Sequence, residues 1–252
     1  MSRANGITIK STRELDYMRE AGRISSQTKA VLKDAIRPGV TSRELDAIAE
    51  REIRSLGAVP AFKGLYGFPA TICSSFNEEI VHGIPSRRRL EEGDIISIDL
   101  GAVVGGFYSD TAFTVGVGRI DEDSQRLIYA TEESLRLAVE QTRAGHRVGD
   151  IGAAVQTYAE GLGYGVVRQY VGHGIGRSLH EDPSVPNYGT PGRGAQLRVG
   201  MTIAIEPMLN LGTWDTRVLD DGWTVVTADG SRSGHFEDTV AVTENGPEVL
   251  TA

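Results

Sequence analysis

The 252-residue sequence is poor in several things at once: it has one cysteine, two tryptophans and only 6% aromatic residues. The lone thiol, Cys73, has no partner for an intrachain disulfide and fits a reducing compartment. No stretch approaches the ~20 consecutive apolar residues of a membrane-spanning helix. The opening MSRANGITIKSTRELDYMRE shows no apolar run of the signal-peptide kind. Positive charge is also short, with 26 Lys and Arg against 34 Asp and Glu and a formal net charge of −8. That balance argues against a nucleic acid or an acidic membrane as partner. The expectation is a soluble, cytoplasmic protein, a monomer of one domain with ample material for a core.

What is present reads first as helices. Ser11 with Glu14, and Thr41 with Glu44, have the spacing of capping boxes. Apolar residues follow each at helical intervals: Leu15, Met18, Ile24 and Leu32, then Leu45, Ile48, Ala49 and Ile53. Pro38-Gly39 and Gly57 end the two helices. A third helix is expected over about 122–142 and a fourth over about 150–162, with loops at 60–69, 181–194 and 211–221 and strands in most of the rest.

The halves echo one another. Arg37, Gly39, Glu44 and Leu45 recur 106 positions on as Arg143, Gly145, Asp150 and Ile151. Gly93, Ile96, Ile98 and Asp99 recur 107 positions on as Gly200, Ile203, Ile205 and Glu206. Asp110-Thr111 finds its echo in Asp238-Thr239. The spacing predicts a duplicated helix-helix-strand unit, with halves over about 11–115 and 121–250, inside a pseudo-symmetric α+β domain.

The segment DIISIDLGAVVGGFYSD, Asp94 to Asp110, reads as two strands joined at Gly105-Gly106. If those two residues alone form the loop, Asp99 faces Ala112 and Asp110 lies one diagonal step away on the same face. A three-residue loop would send the two aspartates to opposite faces. The second half adds Glu206 at the end of the alternation Thr202, Ala204, Glu206, and Glu237 on a face with Thr239 and Ala241. GHGIGRSLHE adds His173 and His180, and NEEIVHGIP adds His82. Asp99, Asp110, His173, Glu206 and Glu237 form an oxygen-rich set with one imidazole, suited to hard or borderline divalent ions such as Mn, Fe or Co. Five ligands suit two ions sharing bridging carboxylates.

NEEIVHGIP, the Asp99–Asp110 spacing, YVGHGIGRSLHEDPSVPNYG, GMTIAIEPM and FEDTVAVT occur in one order. On these motifs the chain resembles the type I methionine aminopeptidases of the pita-bread metallopeptidase family, from the Ser11 helix to Glu248. The resemblance implies a pita-bread fold, with antiparallel sheets enclosed by helices, around two divalent ions (Co, Mn, Fe or Zn). Asp99, Asp110, His173, Glu206 and Glu237 match the family's metal ligands, with Asp110 and Glu237 as bridges. His82 matches the contact to the scissile amide nitrogen, His180 the group that helps hold the carbonyl oxygen, and Glu206 the proton shuttle. Phe62, Leu65, Phe68, Cys73, Leu179 and Trp223 match the pocket for the methionine side chain.

The implied reaction is removal of the initiator methionine from nascent chains whose second residue is small. The enzyme would associate transiently with ribosomes, and its own Met1-Ser2 start has the chemistry of a substrate. Leu65 and Phe68 stand where close relatives place tyrosines, His235 where glutamine is frequent, and Asp238 where histidine is frequent. The Glu-Asp-Thr triplet resembles the related proline-cleaving peptidases, so an Xaa-Pro peptidase is one alternative and a non-catalytic binding member of the fold another. The length argues back: those relatives carry a large extra N-terminal domain. Outside the matching motifs the plainer readings hold: His146 as a surface residue, and Arg87-Arg88-Arg89 as a solvated turn. Cys73 and Trp223 serve equally as packing, and His235 serves equally as a substrate contact or as a structural hydrogen-bonding group to a strand neighbour.

Overall fold

The computed structural model describes residues 3, 4 and 6–252, the first two by their backbone alone; the Met1-Ser2 start lies outside the described residues. Among the described residues four α-helices form: α1 (Thr12–Ala35), α2 (Ser42–Ser55), α3 (Glu122–Glu140) and α4 (Val148–Gly161). The expected caps start the first two. Glu14 accepts the Ser11 N–H at 2.9 Å and Glu44 the Thr41 N–H at 2.8 Å, each satisfying a donor that the helix leaves free. α4 begins two residues earlier than expected. Its Asp150 accepts the Arg147 N–H at 2.7 Å, so it is the third residue of the helix and not the first. No helix among the described residues is long and apolar enough to cross a membrane.

The main sheet has nine strands. In chain order they are β1 (Val59–Pro60), β2 (Ile72–Phe76), β3 (Ile95–Val104), β4 (Phe107–Gly116) and β5 (Gly172–Gly174). β6 (Glu181–Val185), β7 (Thr202–Ile205), β8 (Glu237–Thr243) and β9 (Gly246–Val249) complete the set. Their lateral order is β6-β5-β7-β8-β4-β3-β1, with β2 also paired to β3 and β9 to β8. Neighbours run antiparallel.

Two segments expected as loops contain strands. β6 falls within 181–194, where Pro183 and its acidic neighbours speak against a strand. It lies at the sheet edge, where a residue without an N–H costs no ladder bond, and its register slips between Glu181 and Ser184. Thr216–Val218, within 211–221, pairs with Val225–Thr227. Three residues are too short a run to show alternation.

The hairpin of β3 and β4 has the two-residue loop. Val104 pairs with Phe107 and Asp99 with Ala112, and Gly105 and Gly106 sit at φ 58° and 78°. Alternation then sorts the side chains. Ser109, Thr111 and Phe113 face α1, through Ser25 (2.9 Å to Ser109), Lys29 (3.2 Å to Thr111) and the Lys33 ammonium over the Phe113 ring. Ile98 and Leu100 are fully buried in the same core as Leu32, Leu45 and Phe113. Asp99, Asp110 and Ala112 take the opposite face.

The central pairing corrects one sequence echo. Thr111 pairs with Asp238 and Ala112 with Glu237, so Asp110 shares its face with Glu237 and Thr239. The acid that answers Asp110 across the sheet centre is Glu237, one residue before the echo at Asp238. Asp238 turns toward the helices, 3.6 Å from the Lys29 ammonium, and accepts the Thr251 hydroxyl at 2.8 Å.

The loop makes a prediction. A β-carbon at Gly105 would lie 2.5 Å from the Tyr17 ring, in a left-handed backbone region that already disfavours a side chain. Gly105→Ala is expected to destabilise the protein by about 2 kcal/mol in urea denaturation. No change in midpoint would mean that the loop geometry described here is wrong.

Candidate metal centre and substrate cleft

On the face away from α1, one cleft of about 520 Å³ collects every site residue expected from the sequence, acidic, imidazole and apolar alike. Strand ends build its acidic floor. Asp99 comes from β3, Asp110 from β4, Glu237 from the first residue of β8, and Glu206 from just past β7. His173 is the middle residue of β5, whose backbone pairs with Ala204 of β7. One ligand atom from each of Asp110, His173 and Glu237 lies within 4.8 Å of the others. The His173 Nε2 is 3.6 Å from Asp110 Oδ2 and 3.7 Å from Glu206 Oε1. Its Nδ1 is 2.9 Å from the Gly174 carbonyl, an acceptor only, so Nδ1 carries the proton and donates it there. The Nε2 lone pair is thereby aimed at the carboxylates, as a metal ligand requires.

This floor is electrostatically crowded. Burial, then the charge of Asp110, pushes the Asp99 carboxyl well above its ordinary range. Burial pushes Asp110 up to about 7, against the Asp99 and Thr111 hydrogen bonds that pull it down. Glu206 rises to about 8, raised by burial and by Asp110 and Asp99 while His173 opposes. Glu237 rises by burial and the same neighbours. One buried oxygen each of Asp99, Asp110 and Glu237 has no hydrogen-bond partner. Buried carboxylate oxygens without donors are expensive, and a divalent cation satisfies them together. The donor set fits a hard or borderline ion by number, charge and type.

The apolar wall stands beside this floor. Cys73 on β2 pairs directly with Asp99, so thiol and ligand share a face. Phe62, Phe68, Cys73 and Leu179 are buried in one cluster, with Leu65 and Trp223 packed against it. The Phe68 and Trp223 rings meet edge to face at 5.1 Å. Burial, with Asp99 the next cause, pushes the Cys73 thiol well up, so it lines the wall as a neutral, soft group and not as a nucleophile.

Three histidines bear on the cleft. His173 and His180 meet edge to face at 4.4 Å. Burial, followed by the charges of His173 and His82, pushes His180 down to about 4. Burial also lowers His82, which follows a short strand, Glu79–Val81, with a left-handed backbone at φ 63°. Both imidazoles are neutral near pH 7 and available for hydrogen bonding. His235 does not line the cleft. It is 1% exposed, pairs with Met208, and is driven to about 3 by burial and His82.

Sequence reasoning missed two aromatic residues here. Tyr66, 73% exposed at the cleft mouth, stacks on His180 at 6.0 Å. Its left-handed backbone (φ 52°) lies between Gly64 and Gly67, both also at positive φ. The GLYG pattern is the signal that could have marked it as a turn presenting an aromatic side chain. Tyr170 meets His82 edge to face at 5.6 Å, and only its place three residues before His173 could have pointed to it.

Known proteins share this fold. The model of metallopeptidase family M24 matches residues 16–244. A methionine aminopeptidase of Clostridium perfringens (strain 13 / Type A) is 53% identical over 245 residues, spanning 97% of this chain and 98% of that protein. Methionine aminopeptidase 1 of Bacillus subtilis (strain 168) is 51% identical over 245 residues, spanning 97% and 99%. The crystal structure of methionine aminopeptidase from Thermotoga maritima superposes with a TM-score of 0.96 at 46% identity, over 97% of this chain and 99% of that one. The prolidase of Pyrococcus furiosus gives 0.78 at 27% identity, and this chain spans 65% of its length. With a family match over nearly its whole length, a pita-bread fold and a buried group of Asp, His and Glu side chains suited to a metal, this chain belongs to metallopeptidase family M24.

Proposed function

We propose that the chain is a methionine aminopeptidase that removes the initiator methionine from nascent proteins whose second residue is small. The observation that carries this reading is adjacency: an acidic, histidine-bearing floor lies directly beside an apolar slot walled by aromatic rings and a thiol. Soft, polarisable and aromatic surfaces suit a flexible thioether chain.

Asp99, Asp110, His173, Glu206 and Glu237 are the residues that would hold two divalent ions. Co, Mn, Fe or Zn held there would supply Lewis acidity toward water and the scissile carbonyl. The slot takes the methionine side chain, with Phe62, Leu65, Phe68, Cys73, Leu179 and Trp223 excluding water around it. Leu65 and Phe68 make this wall wholly apolar on their side. Glu206 accepts a proton from the attacking water and returns it to the leaving amine. His82 contacts the scissile amide nitrogen. His180, held neutral, donates a hydrogen bond to the carbonyl oxygen as negative charge gathers on it.

An Xaa-Pro peptidase is the second reading, favoured by the Glu-Asp-Thr triplet and the likeness to prolidase. Asp238, which makes that triplet, points toward α1 and away from the cleft, so it has no direct hold on substrate. The complete donor set speaks against a purely binding role. The cytoplasm is the proposed compartment, on the single buried Cys73. The proposed working form is a monomer acting on peptides as they leave the ribosome.

Met-Ala-Ser and Met-Gly-Ser are expected to be cleaved in the presence of Co or Mn, with Xaa-Pro peptides left intact, in an assay of released amino acid. Addition of a chelator should abolish turnover and metal return restore it. Cleavage of Xaa-Pro but not Met-Ala would reverse the assignment. His180→Ala should lower kcat by about 100-fold with KM within a few-fold, the pattern of a group that acts in the transition state. An unchanged kcat would remove its role.

A further inference from the structure

His180 is half-exposed at the cleft mouth, and among the described residues its ring makes no hydrogen bond; it contacts the rings of Tyr66 and His173. The backbone that carries it is fastened from below. Glu181, the next residue, turns its carboxylate back under the loop, where Oε1 accepts the N–H of Arg177 at 2.8 Å and of Ser178 at 3.2 Å. The other oxygen, Oε2, accepts the Thr8 hydroxyl at 2.6 Å and the Lys10 ammonium at 2.9 Å. The two charged side chains are 4% and 12% exposed. A β-carbon at Gly176 would lie 2.6 Å from Lys10 Cε, so the lysine stem runs directly beneath the loop.

Lys10 is itself tied to the metal side of the sheet. Its N–H donates to the Gly200 carbonyl at 2.7 Å, and Gly200 lies just before β7, whose far end carries Glu206. A rigid path therefore joins Lys10, Glu181 and the loop amides to the backbone of His180. A buried ion pair adds little net stability over apolar packing, because desolvation offsets attraction. Its distinctive property is geometric, since losing either partner strands a charge and frees the groups that the pair aligned.

We propose that Lys10, acting through Glu181, is a positioning residue that sets His180 against the reacting carbonyl oxygen, a role that rests on the reading of His180 given above. Catalytic groups lose efficiency steeply when displaced, by up to ~100-fold for about 1 Å. The pair touches no substrate. It keeps the segment Arg177–His180 from drifting across the mouth of the cleft.

The test is a double-mutant cycle on the metal-loaded enzyme with Met-Ala-Ser, combined with amide hydrogen exchange. Lys10→Met is expected to lower kcat by about 10- to 100-fold with KM within about threefold. In a His180→Ala background the same substitution should change kcat by less than about twofold, because the group it aligns is gone. Exchange at the Arg177 and Ser178 amides should quicken by about tenfold, with α1 and β3 unaffected. An equal loss of kcat in both backgrounds, an unchanged kcat, or unaltered exchange at those amides would overturn the proposal. If Lys10→Met fails to fold, Glu181→Gln, which removes the charge that Lys10 answers, is read by kcat in the wild-type and His180→Ala backgrounds, where an equal loss in both or no loss overturns the proposal. Exchange requires no turnover. Lack of wild-type turnover on Met-Ala-Ser overturns the parent reading and this one together, whereas normal wild-type turnover with an unaltered variant overturns this one alone.

Discussion

Because side chains alternate along a strand, the two-residue loop at Gly105-Gly106 decides whether Asp99 and Asp110 can ever meet. With one more residue in that loop, the pairing parity would reverse and one aspartate would enter the core beside Ile98 and Phe113. The positive φ of both glycines keeps the loop at two. Everything on the cleft side follows from that parity. Ala112 faces Glu237 across the sheet centre, and Cys73 faces Asp99 from the other flank. A single choice of register thus gathers metal donors and pocket wall onto one surface.

That surface would be unfavourable if carboxylates alone filled it. Burial raises the proton affinity of all four acids, neighbouring carboxylates add to it at Asp99, Glu206 and Glu237, and three of their oxygens have no hydrogen-bond donor. Threonine hydroxyls from both faces answer with order. Thr111 donates its hydroxyl to the Glu237 carbonyl at 2.8 Å, and Thr239 exchanges hydrogen bonds with the Asp110 backbone at 2.9 and 2.8 Å. These bonds fix the strands that carry the acids without touching the acids themselves. The carboxylate oxygens therefore remain free for a cation, while their positions are set by a network that a cation does not enter.

The parts legible in the sequence were those with local causes. Capping boxes at Ser11 and Thr41, the diglycine loop, and acids ending otherwise apolar strands each state their structure within a few residues. β6 was not legible, because a proline within an acidic segment is tolerated only at a sheet edge, and edge position is a property of the whole sheet. The echo of Asp110 at Asp238 misled by one residue for a similar reason. The identity of the residues matched, but the face is set by pairing with β4, which no local pattern reports. Lys10 was invisible for want of any pattern at all. It became a candidate only when Glu181, 171 residues away, was found at its ammonium.

The pairing of Cys73 with Asp99 also bears on substrate choice. Directly opposed residues on an antiparallel pair hold their side chains about 5 Å apart, so the inner end of the slot lies at a fixed step from the metal floor. Phe68, Trp223 and Leu179 belong to the same wall. On the proposed function, the α-carbon of the substrate must sit near the floor while its side chain fills the slot. A slot of set length then favours a long unbranched side chain. A short one leaves apolar surface uncovered. Selectivity and chemistry are thus read from one ruler, the strand register of β2 on β3, and a change at Cys73 acts on both together.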